Sequence, residues 1–288
     1  MLQGWENDYY KSIAEDYLQT TFEVLIKKGE AFDLQTVVRC LSMDELILTV
    51  RELNDQSLKA RVSMLTHYER KDITGLQAHL NLLIHSELGE FFVRDATTFS
   101  LVNVIQHQRI VYFALPALRF LTFAKVLGKL IINDIKAVID HGHQSKKIFT
   151  VFDEFSVFAG EQVLNLVNMG RGKGIHAIFG TQGLSDLKRV DPEFNHQILN
   201  CVNTLICHRL NDHESAESVA AWVGTQAAFN LTAQISAQRG PAGQGSIRLV
   251  KEFWVHPDDI KQTLNTGGVF YVTKVGEFQV QKVKVKFS

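Results

Sequence analysis

The stretch IFTVFDEF, from Ile148 to Phe155, is a short unbroken apolar run that ends in two acids, Asp153 and Glu154. A run of this length and composition is typical of a strand that is covered on both faces, as in parallel sheets. Open α/β folds collect their ligands at the carboxyl ends of such strands. The stretch therefore predicts a ligand site at the two acids, although acids at strand ends also serve as helix caps.

Similar apolar runs recur after Gly89 and alternate with helical patterns. The predicted strands begin at Ile110 (IVYFAL), Ile148 (IFTVF), His176 (HAIFG), Thr204 (TLICH) and Val269 (VFYV), and the predicted helices lie near residues 120–139, 161–169, 194–200 and 214–222. This order predicts an α/β fold with a largely parallel three-layer sheet. The glycine-rich stretch 236–246 is predicted to be a flexible connector or a hairpin tip.

Residues 1 to about 88 show helical periodicity throughout. The predicted helices are one through 10–25 that stops at Gly29, one capped by Asp33, one with a capping box of Ser42 and Glu45, and two around 58–65 and 73–88. A helical bundle buries such amphipathic faces. The sequence therefore predicts an all-α domain at 1–88, followed by an α/β domain at 89–288.

Composition narrows the function classes only slightly. The chain has 288 residues, 45% of them hydrophobic, and a formal net charge of -1, which argues against nucleic-acid binding through a bulk positive field. The apolar region 110–132 contains Pro116, Arg119, Lys125 and Lys129, so a strand followed by a helix is predicted there instead of a membrane span. The first residues lack a signal-peptide pattern and the three cysteines lack a C-x-x-C spacing, so a cytoplasmic location is expected.

No phosphate-binding loop of the form Gly-x-x-x-x-Gly-Lys-Ser/Thr occurs in the sequence. Such a loop wraps backbone N–H groups around phosphates and supplies a lysine and a magnesium-binding hydroxyl. The nearest candidates, around Lys129 and Lys173, each lack the first glycine and the final hydroxyl residue. A complete nucleotide site therefore cannot be assembled from the known loop type within this sequence.

Three further residues have positions that suit phosphate chemistry. Gln182 follows the predicted strand HAIFG, where an amide can sense a γ-phosphate, and Arg171 lies in the loop GRGKG. A fixed guanidinium stabilises the charge on a transferring phosphoryl group, and a neighbouring subunit can supply it. Taken singly, Gln182 also suits a turn beside Gly183, and Arg171 also suits a solvated loop.

Taken together, these features resemble the motor domains of the TraD/TraG family, the coupling proteins of type IV secretion systems in conjugation, which are related to the FtsK and HerA translocases. The resemblance rests on Asp153 and Glu154, then Arg171, then Thr181 and Gln182, and finally the segment EFWVHPDDIK at 252–261. It covers nearly the whole chain, because that family also inserts an all-α domain between its phosphate-binding loop and its acidic strand.

The resemblance implies a RecA-like P-loop NTPase core that uses ATP and Mg²⁺. By position, Asp153 and Glu154 match the Walker B acids, with Asp153 holding Mg²⁺ through water, while Gln182 matches the sensor glutamine and Arg171 the arginine finger. Thr181 falls beside the nucleotide. Implied partners are other copies in a hexamer-like ring, the relaxosome with its relaxase and DNA, and secretion channel proteins at the inner membrane.

The chain departs from the family because the Walker A loop and the N-terminal membrane anchor are not found in it. Losing several charge-assisted phosphate hydrogen bonds, at roughly 1.5–3 kcal/mol each, predicts weak ATP binding by the chain alone, with an affinity loss of about 10⁴ or more. The loop strand belongs inside the family's sheet, so unpaired strand edges are also predicted.

Three functions remain open from the sequence. The first is a portion of a coupling ATPase that links hydrolysis to transfer of a DNA–relaxase substrate. The second is a non-catalytic interaction module that docks the relaxosome or cargo, or the remnant of a truncated gene. The third is a DNA translocase like FtsK or HerA, which shares the same chemistry.

Overall fold

The computed structural model describes residues 8–87, 89–95, 97–141, 147–236 and 240–286. The chain forms two compact units, Met1–Val111 and Tyr112–Ser288. The division into domains at 1–88 and 89–288 stays a prediction.

The first unit is helical. Its helices are α1 (Asp8–Lys28), α2 (Leu34–Cys40), α3 (Met43–Arg51), α4 (Gln56–Leu65), α5 (Arg70–Ile84) and α6 (Leu101–Gln106). One apolar cluster fills the space between α1 and the four following helices, and Tyr17, Leu41, Leu46, Leu65 and Leu76 are almost completely buried within it. The helical prediction for this region is confirmed.

The predicted end signals hold at Gly29 and Asp33 but not at Ser42, and α5 ends at Ile84 instead of continuing to 88. Gly29 takes a positive φ of 76°, which glycine adopts without steric penalty, and ends α1. The Asp33 carboxylate accepts a hydrogen bond from Thr36 N at 2.8 Å and caps α2. The predicted capping box at Ser42 is wrong, because the Ser42 side chain makes no capping hydrogen bond.

The second unit combines helices and strands. Its helices are α7 (Leu121–His141), α8 (Glu161–Gly170), α9 (Phe194–Cys201), α10 (His213–Val223) and α11 (Pro257–Gln262). Its strands are β1 (Ile148–Phe152), β2 (Ile175–Phe179), β3 (Thr204–Cys207), β4 (Thr225–Ser236), β5 (Gly240–Phe253), β6 (Gly268–Thr273) and β7 (Gln279–Lys284). All four predicted helices and four of the five predicted strands of this part are present.

The sheet prediction was only partly right. β1 and β2 pair in parallel, but β3, β6 and β7 form an antiparallel sheet and β4 pairs antiparallel with β5. A short connection between two strands enforces antiparallel pairing, and β6–β7 and β4–β5 are both hairpins. The described residues thus form two small sheets and a hairpin instead of one largely parallel sheet. The glycine-rich stretch 236–246 lies at the hairpin tip, of which 237–239 fall outside the described residues.

The predicted strand IVYFAL is wrong. Residues 110–115 have no regular secondary structure, and the side chains of Ile110 and Tyr112 are 98% and 88% exposed. An apolar run becomes a strand only where a neighbouring edge accepts its hydrogen bonds, and no described strand pairs with this run.

One hydrophobic core serves both small sheets of the second unit. Phe152 of β1, Ile175 of β2, Cys207 of β3 and Val272 of β6 belong to the same buried cluster. The outward face of β1 and β2, in contrast, is apolar and exposed, with Phe149, Val151 and Ile178 between 53% and 67% accessible. None of the described helices combines the length and apolar character that crossing a bilayer requires.

Candidate functional site

The parallel register of β1 and β2 brings the predicted site residues to one edge of the sheet. Phe152 and Phe179, the last residues of the two strands, lie opposite each other. The ladder continues one step further, because Gly180 N donates to Phe152 O at 2.9 Å and Phe155 N donates to Gly180 O at 2.8 Å. The two segments that follow the strands, with the acidic pair and the glutamine, are therefore held side by side.

Glu154 is the most constrained residue of this edge. Its backbone is left-handed, with φ 48° and ψ 54°, which is uncommon for a residue other than glycine and recurs at functional sites. Both carboxylate oxygens accept hydrogen bonds. Ser156 Oγ donates to Oε1 at 2.9 Å, and Gln182 Nε2 donates to Oε2 at 2.9 Å. The carboxylate is thus fixed from two sides.

Asp153 lies beside Glu154 and is exposed. Its Oδ1 accepts a hydrogen bond from Glu154 N at 3.0 Å. A Cβ at position 180 would lie 3.4 Å from the same oxygen, in ordinary van der Waals contact, so the neighbouring strand end lies close to the acid. An exposed carboxylate at a strand end has the donor chemistry that Mg²⁺ prefers, directly or through water. Among the residues that the structure describes, no group of three or more metal-binding side chains is found.

The loop that carries Gln182 is anchored from α10. Ser215, at the start of that helix, is fully buried, and its Oγ accepts hydrogen bonds from Leu184 N at 3.0 Å and Ser185 N at 3.2 Å. The same hydroxyl donates to Asp212 Oδ2 at 2.6 Å. Hydrogen bonds from the Ser215 side chain and backbone hold the pKa of Asp212 below its usual value. This network limits the positions that Gln182 can take.

Thr181 contributes to the shape of the same loop. Its Oγ1 donates to Gly183 O at 3.1 Å, and its side chain is exposed. The hydroxyl thus closes the turn around Gln182. Its predicted place beside a nucleotide stays a prediction.

The floor of the site is aromatic. The ring of Phe155 lies 4.6 Å from the ring of Phe179 and 6.2 Å from that of Phe194, and Phe152 stacks on Phe179 at 5.4 Å. Such rings are large and closely packed, so they give the polar residues above them a stiff base.

Arg171 is not brought to this edge. It follows α8 and precedes β2, so the length of β2, about 16 Å for its five residues, separates it from the strand ends. Its side chain is exposed, and the neighbouring Lys173 pairs with Asp140 at 2.6 Å. Within one copy of the chain, Arg171 therefore stands apart from Asp153 and Glu154.

Two residues of the site were not predicted from the sequence. Ser156 has one signal, a hydroxyl two residues after the acid that it binds. Ser215 has no local signal, because the loop that it anchors lies about 30 residues earlier in the chain.

Two comparisons with known proteins include the segment that carries this edge. The family model described as "TraM recognition site of TraD and TraG" matches residues 147–263, which include the whole edge with Asp153, Glu154 and Gln182. A solved bacterial conjugative coupling protein, TrwBdeltaN70 in an unbound monoclinic form, matches 96% of this chain with a TM-score of 0.63. Residues 147–263 thus belong to the TraD/TraG family.

The TraD/TraG relationship is distant in sequence. Identity to the solved coupling protein is 14%, so that likeness concerns the fold, and the chain spans 63% of the length of that structure. An uncharacterized protein of Mycoplasma pneumoniae (strain ATCC 29342 / M129 / Subtype 1) is 30% identical over 134 residues, which are 46% of this chain and 87% of that protein. The resemblance stated from the sequence is confirmed.

Proposed function

We propose that this chain is the part of a conjugative coupling ATPase that carries the water-activating acid and the sensor glutamine. It hydrolyses ATP when another polypeptide segment supplies a phosphate-binding loop, and hydrolysis is linked to transfer of a DNA–relaxase substrate to a secretion channel. The observation that carries the proposal is the hydrogen bond of 2.9 Å between Gln182 Nε2 and Glu154 Oε2, at the strand edge that also holds Asp153.

Glu154 acts as the base in this proposal. A carboxylate at a sheet edge orients and deprotonates the attacking water, and its efficiency depends on exact placement. The hydrogen bonds from Ser156 and Gln182 supply that placement. Asp153 would hold Mg²⁺ through water, and the bound ion supplies positive charge at the β- and γ-phosphate oxygens.

Gln182 links the nucleotide to the base. Its amide reaches Glu154 already, so a change in its position on contact with a γ-phosphate is transmitted directly to the carboxylate. Thr181 keeps the backbone turn beside the nucleotide. Arg171, which lies at the other end of β2, acts on the site of a neighbouring copy in a ring.

The strand arrangement supports a loop supplied from elsewhere. The sequence holds no Gly-x-x-x-x-Gly-Lys-Ser/Thr. The β1–β2 sheet and the β3–β6–β7 sheet share one core, yet no described hydrogen bond joins them. A two-stranded parallel sheet with an exposed apolar face is unusual, because parallel sheets are normally covered on both sides. An added apolar strand pairs with the unpaired edge of the β1–β2 sheet, and the helix that follows it covers Phe149, Val151 and Ile178.

The test is phosphate release from ATP by the full chain mixed with a purified polypeptide that carries a strand and an intact phosphate-binding loop. Neither component alone is expected to hydrolyse ATP. The mixture is expected to do so, and Glu154→Gln is expected to lower the rate at least about 100-fold, since general-base catalysis contributes about 10²–10⁴. Glu161→Gln, an exposed change in the first turn of α8, is the matched control and leaves the rate unchanged. A rate that survives Glu154→Gln contradicts the proposal.

A second candidate is a recognition module without catalysis. It is favoured by the match to the family model described as a TraM recognition site, which covers 147–263. In this role the chain binds a relaxosome protein such as TraM through its second unit, and nucleotide has no effect. Titration of a labelled TraM protein with the chain, with and without ATP and the loop-bearing polypeptide, separates the two. Tight binding with no hydrolysis in any mixture supports the recognition module alone.

A further inference from the structure

The β4–β5 hairpin is a long two-stranded ribbon, which we call the arm. Its strands comprise 12 and 14 residues, so it extends for about 40 Å at roughly 3.3 Å per residue. None of its described side chains at 225–231 and 246–253 is buried. An isolated two-stranded hairpin is marginally stable in water, because it has no core of its own.

One face of the arm carries an apolar stripe, defined here as Phe229, Leu231, Ile247 and Leu249. Phe229 lies directly opposite Leu249, and Leu231 lies directly opposite Ile247, so the four side chains form two adjacent cross-strand pairs on the same face. Their exposed fractions are 71%, 63%, 73% and 70% for Phe229, Leu249, Leu231 and Ile247. These four side chains are therefore uncovered.

The other face of the arm is mixed, with a half-buried pair of Ala228 and Val250 between polar pairs. Asn230 lies opposite Arg248, between the two pairs of the stripe along the ribbon but on the reverse side. On the stripe's own face, the nearest charge is Lys251, opposite Ala227, one pair beyond Phe229 and Leu249. The arm thus has the alternation of a sheet with one covered face, although nothing among the described residues covers it.

We propose that the apolar stripe binds the same stripe of a second copy of this chain, with the two arms packed face to face about a twofold axis. Two stacked ribbons form the smallest sheet-on-sheet core, and the twofold relation places each apolar pair against an apolar pair of the partner. This contact is isologous. It differs from the head-to-tail contacts that build a ring, so it joins copies whether or not the chain acts as an ATPase.

The area of the stripe suits a weak dimer. Four large apolar side chains of roughly 200 Å² each, about two thirds exposed, offer about 500 Å² per copy and about 1,000 Å² for the pair. This is near the lower limit for specific interfaces, where complexes are transient. A weak dimer that dissociates on dilution is therefore expected, and a tight permanent dimer is not.

Sedimentation velocity of the full chain between about 1 and 200 μM tests the inference. The wild-type average mass is expected to rise from the monomer value of 32.6 kDa toward twice that value as the concentration increases. Leu231→Asp places a charge in the stripe and is expected to hold the mass at the monomer value. Asn230→Asp, the adjacent residue on the reverse face, is the matched control and is expected to dimerise like the wild type.

Two further variants test whether misfolding, or a contact through another surface, explains the loss of dimerisation. Leu231→Ala, checked by circular dichroism, is expected to raise the dissociation constant at least about tenfold, because two apolar side chains are lost from each dimer. Val151→Asp, on the exposed β1–β2 face, is expected to leave dimerisation unchanged. A wild-type chain that stays monomeric throughout, or association that is lost with Val151→Asp and kept with Leu231→Asp, overturns the inference.

Discussion

The side-chain amide of Gln182 lies 2.9 Å from the Oε2 of Glu154, and this hydrogen bond joins the ends of two parallel strands. The two residues are separated by 28 positions in the chain. They meet because β1 and β2 are paired in register and the ladder continues to Gly180. A change at either residue therefore alters the placement of both.

Ser156 is expected to position Glu154. Removing its hydroxyl in Ser156→Ala leaves Oε1 of Glu154 without its 2.9 Å donor, and the loss of one hydrogen bond to a carboxylate is expected to lower the turnover of the loop-complemented chain roughly tenfold. Nucleotide affinity is expected to stay the same, because Ser156 does not face the phosphates in the proposed role. Ser156→Thr keeps a hydroxyl and restores most of the rate. Equal losses in both variants would mean that packing, not the hydrogen bond, matters at this position.

Ser215 is expected to stabilise the loop that carries Gln182. In Ser215→Ala, the backbone N–H groups of Leu184 and Ser185 lose their buried acceptor. Leaving buried donors unpaired lowers the free energy of unfolding by about 1–3 kcal/mol. Urea unfolding followed by circular dichroism measures this loss. Ser246→Ala, at an exposed position, is the control and is expected to change stability by less than about 0.5 kcal/mol.

The Asp212 carboxylate is expected to make stability depend on pH in the acid range. Hydrogen bonds from Ser215 lower its pKa in the folded state, so the unfolded state takes up a proton first as the pH falls. The stabilisation is fully present above the ordinary aspartate pKa of about 4 and is lost as the pH drops through the lower folded value.

Asp212→Asn tests this dependence, because asparagine also caps helices well but carries no charge. The stability difference between wild type and variant is expected to be constant from about pH 7 to pH 5 and to shrink toward pH 2. A difference that grows on acidification contradicts the assigned direction of the pKa shift.

Cys207 is expected to be unreactive in the folded chain. Burial raises its pKa to about 12, so at pH 8 only about one molecule in 10⁴ carries the reactive thiolate. Treatment with iodoacetamide at pH 8, followed by mass spectrometry of peptides, should leave Cys207 unmodified and should label it fully after unfolding in urea. Cys201, which is only partly buried, is expected to be labelled first. Native labelling of Cys207 at the rate of Cys201 would show that β3 opens to solvent.

Elements with strong local signals were predictable from the sequence. The position of the acidic pair at a strand end, the position of Gln182 after the next strand and the helices α7 to α10 follow from short apolar runs and their spacing. The pairing of strands was not predictable in the same way. Whether an apolar run pairs with a strand edge depends on residues far away in the sequence. The run IVYFAL is therefore predicted as a strand but pairs with no described strand. Likewise, β6 and β7 form an antiparallel hairpin where the sequence predicted a largely parallel sheet.

The contacts that support the site could not be predicted from local sequence patterns for a similar reason. Hydrogen bonds join Ser215 to the Gln182 loop, which lies about 30 residues earlier in the chain. No sequence pattern predicts that a buried serine accepts hydrogen bonds from a distant loop. The place of Arg171, in contrast, follows from the predicted strand HAIFG. Its loop is close to Gln182 in sequence, but β2 lies between them and separates the two ends in space.

The glycines of the GRGKG loop are expected to differ in their tolerance of a methyl group. A Cβ at Gly170 would lie 2.8 Å from Cγ1 and 3.0 Å from Cβ of Ile175, a core residue that is only 6% exposed. Overpacking of this kind lowers the free energy of unfolding by about 1–3 kcal/mol. Gly172, two residues later, has nothing within 4 Å of the same added atom.

Gly170→Ala and Gly172→Ala thus form a matched pair in one loop. The urea concentration at the unfolding midpoint is expected to fall for Gly170→Ala and to stay within error for Gly172→Ala. Arg171 lies between the two glycines, and its proposed function is expected to be affected only by Gly170→Ala. Since Ile175 begins β2, the strain at Gly170 reaches the strand that ends at the site. If the two variants unfold at the same urea concentration, the junction of α8 and β2 accommodates the added methyl group despite the 2.8 Å distance from its position to Cγ1 of Ile175.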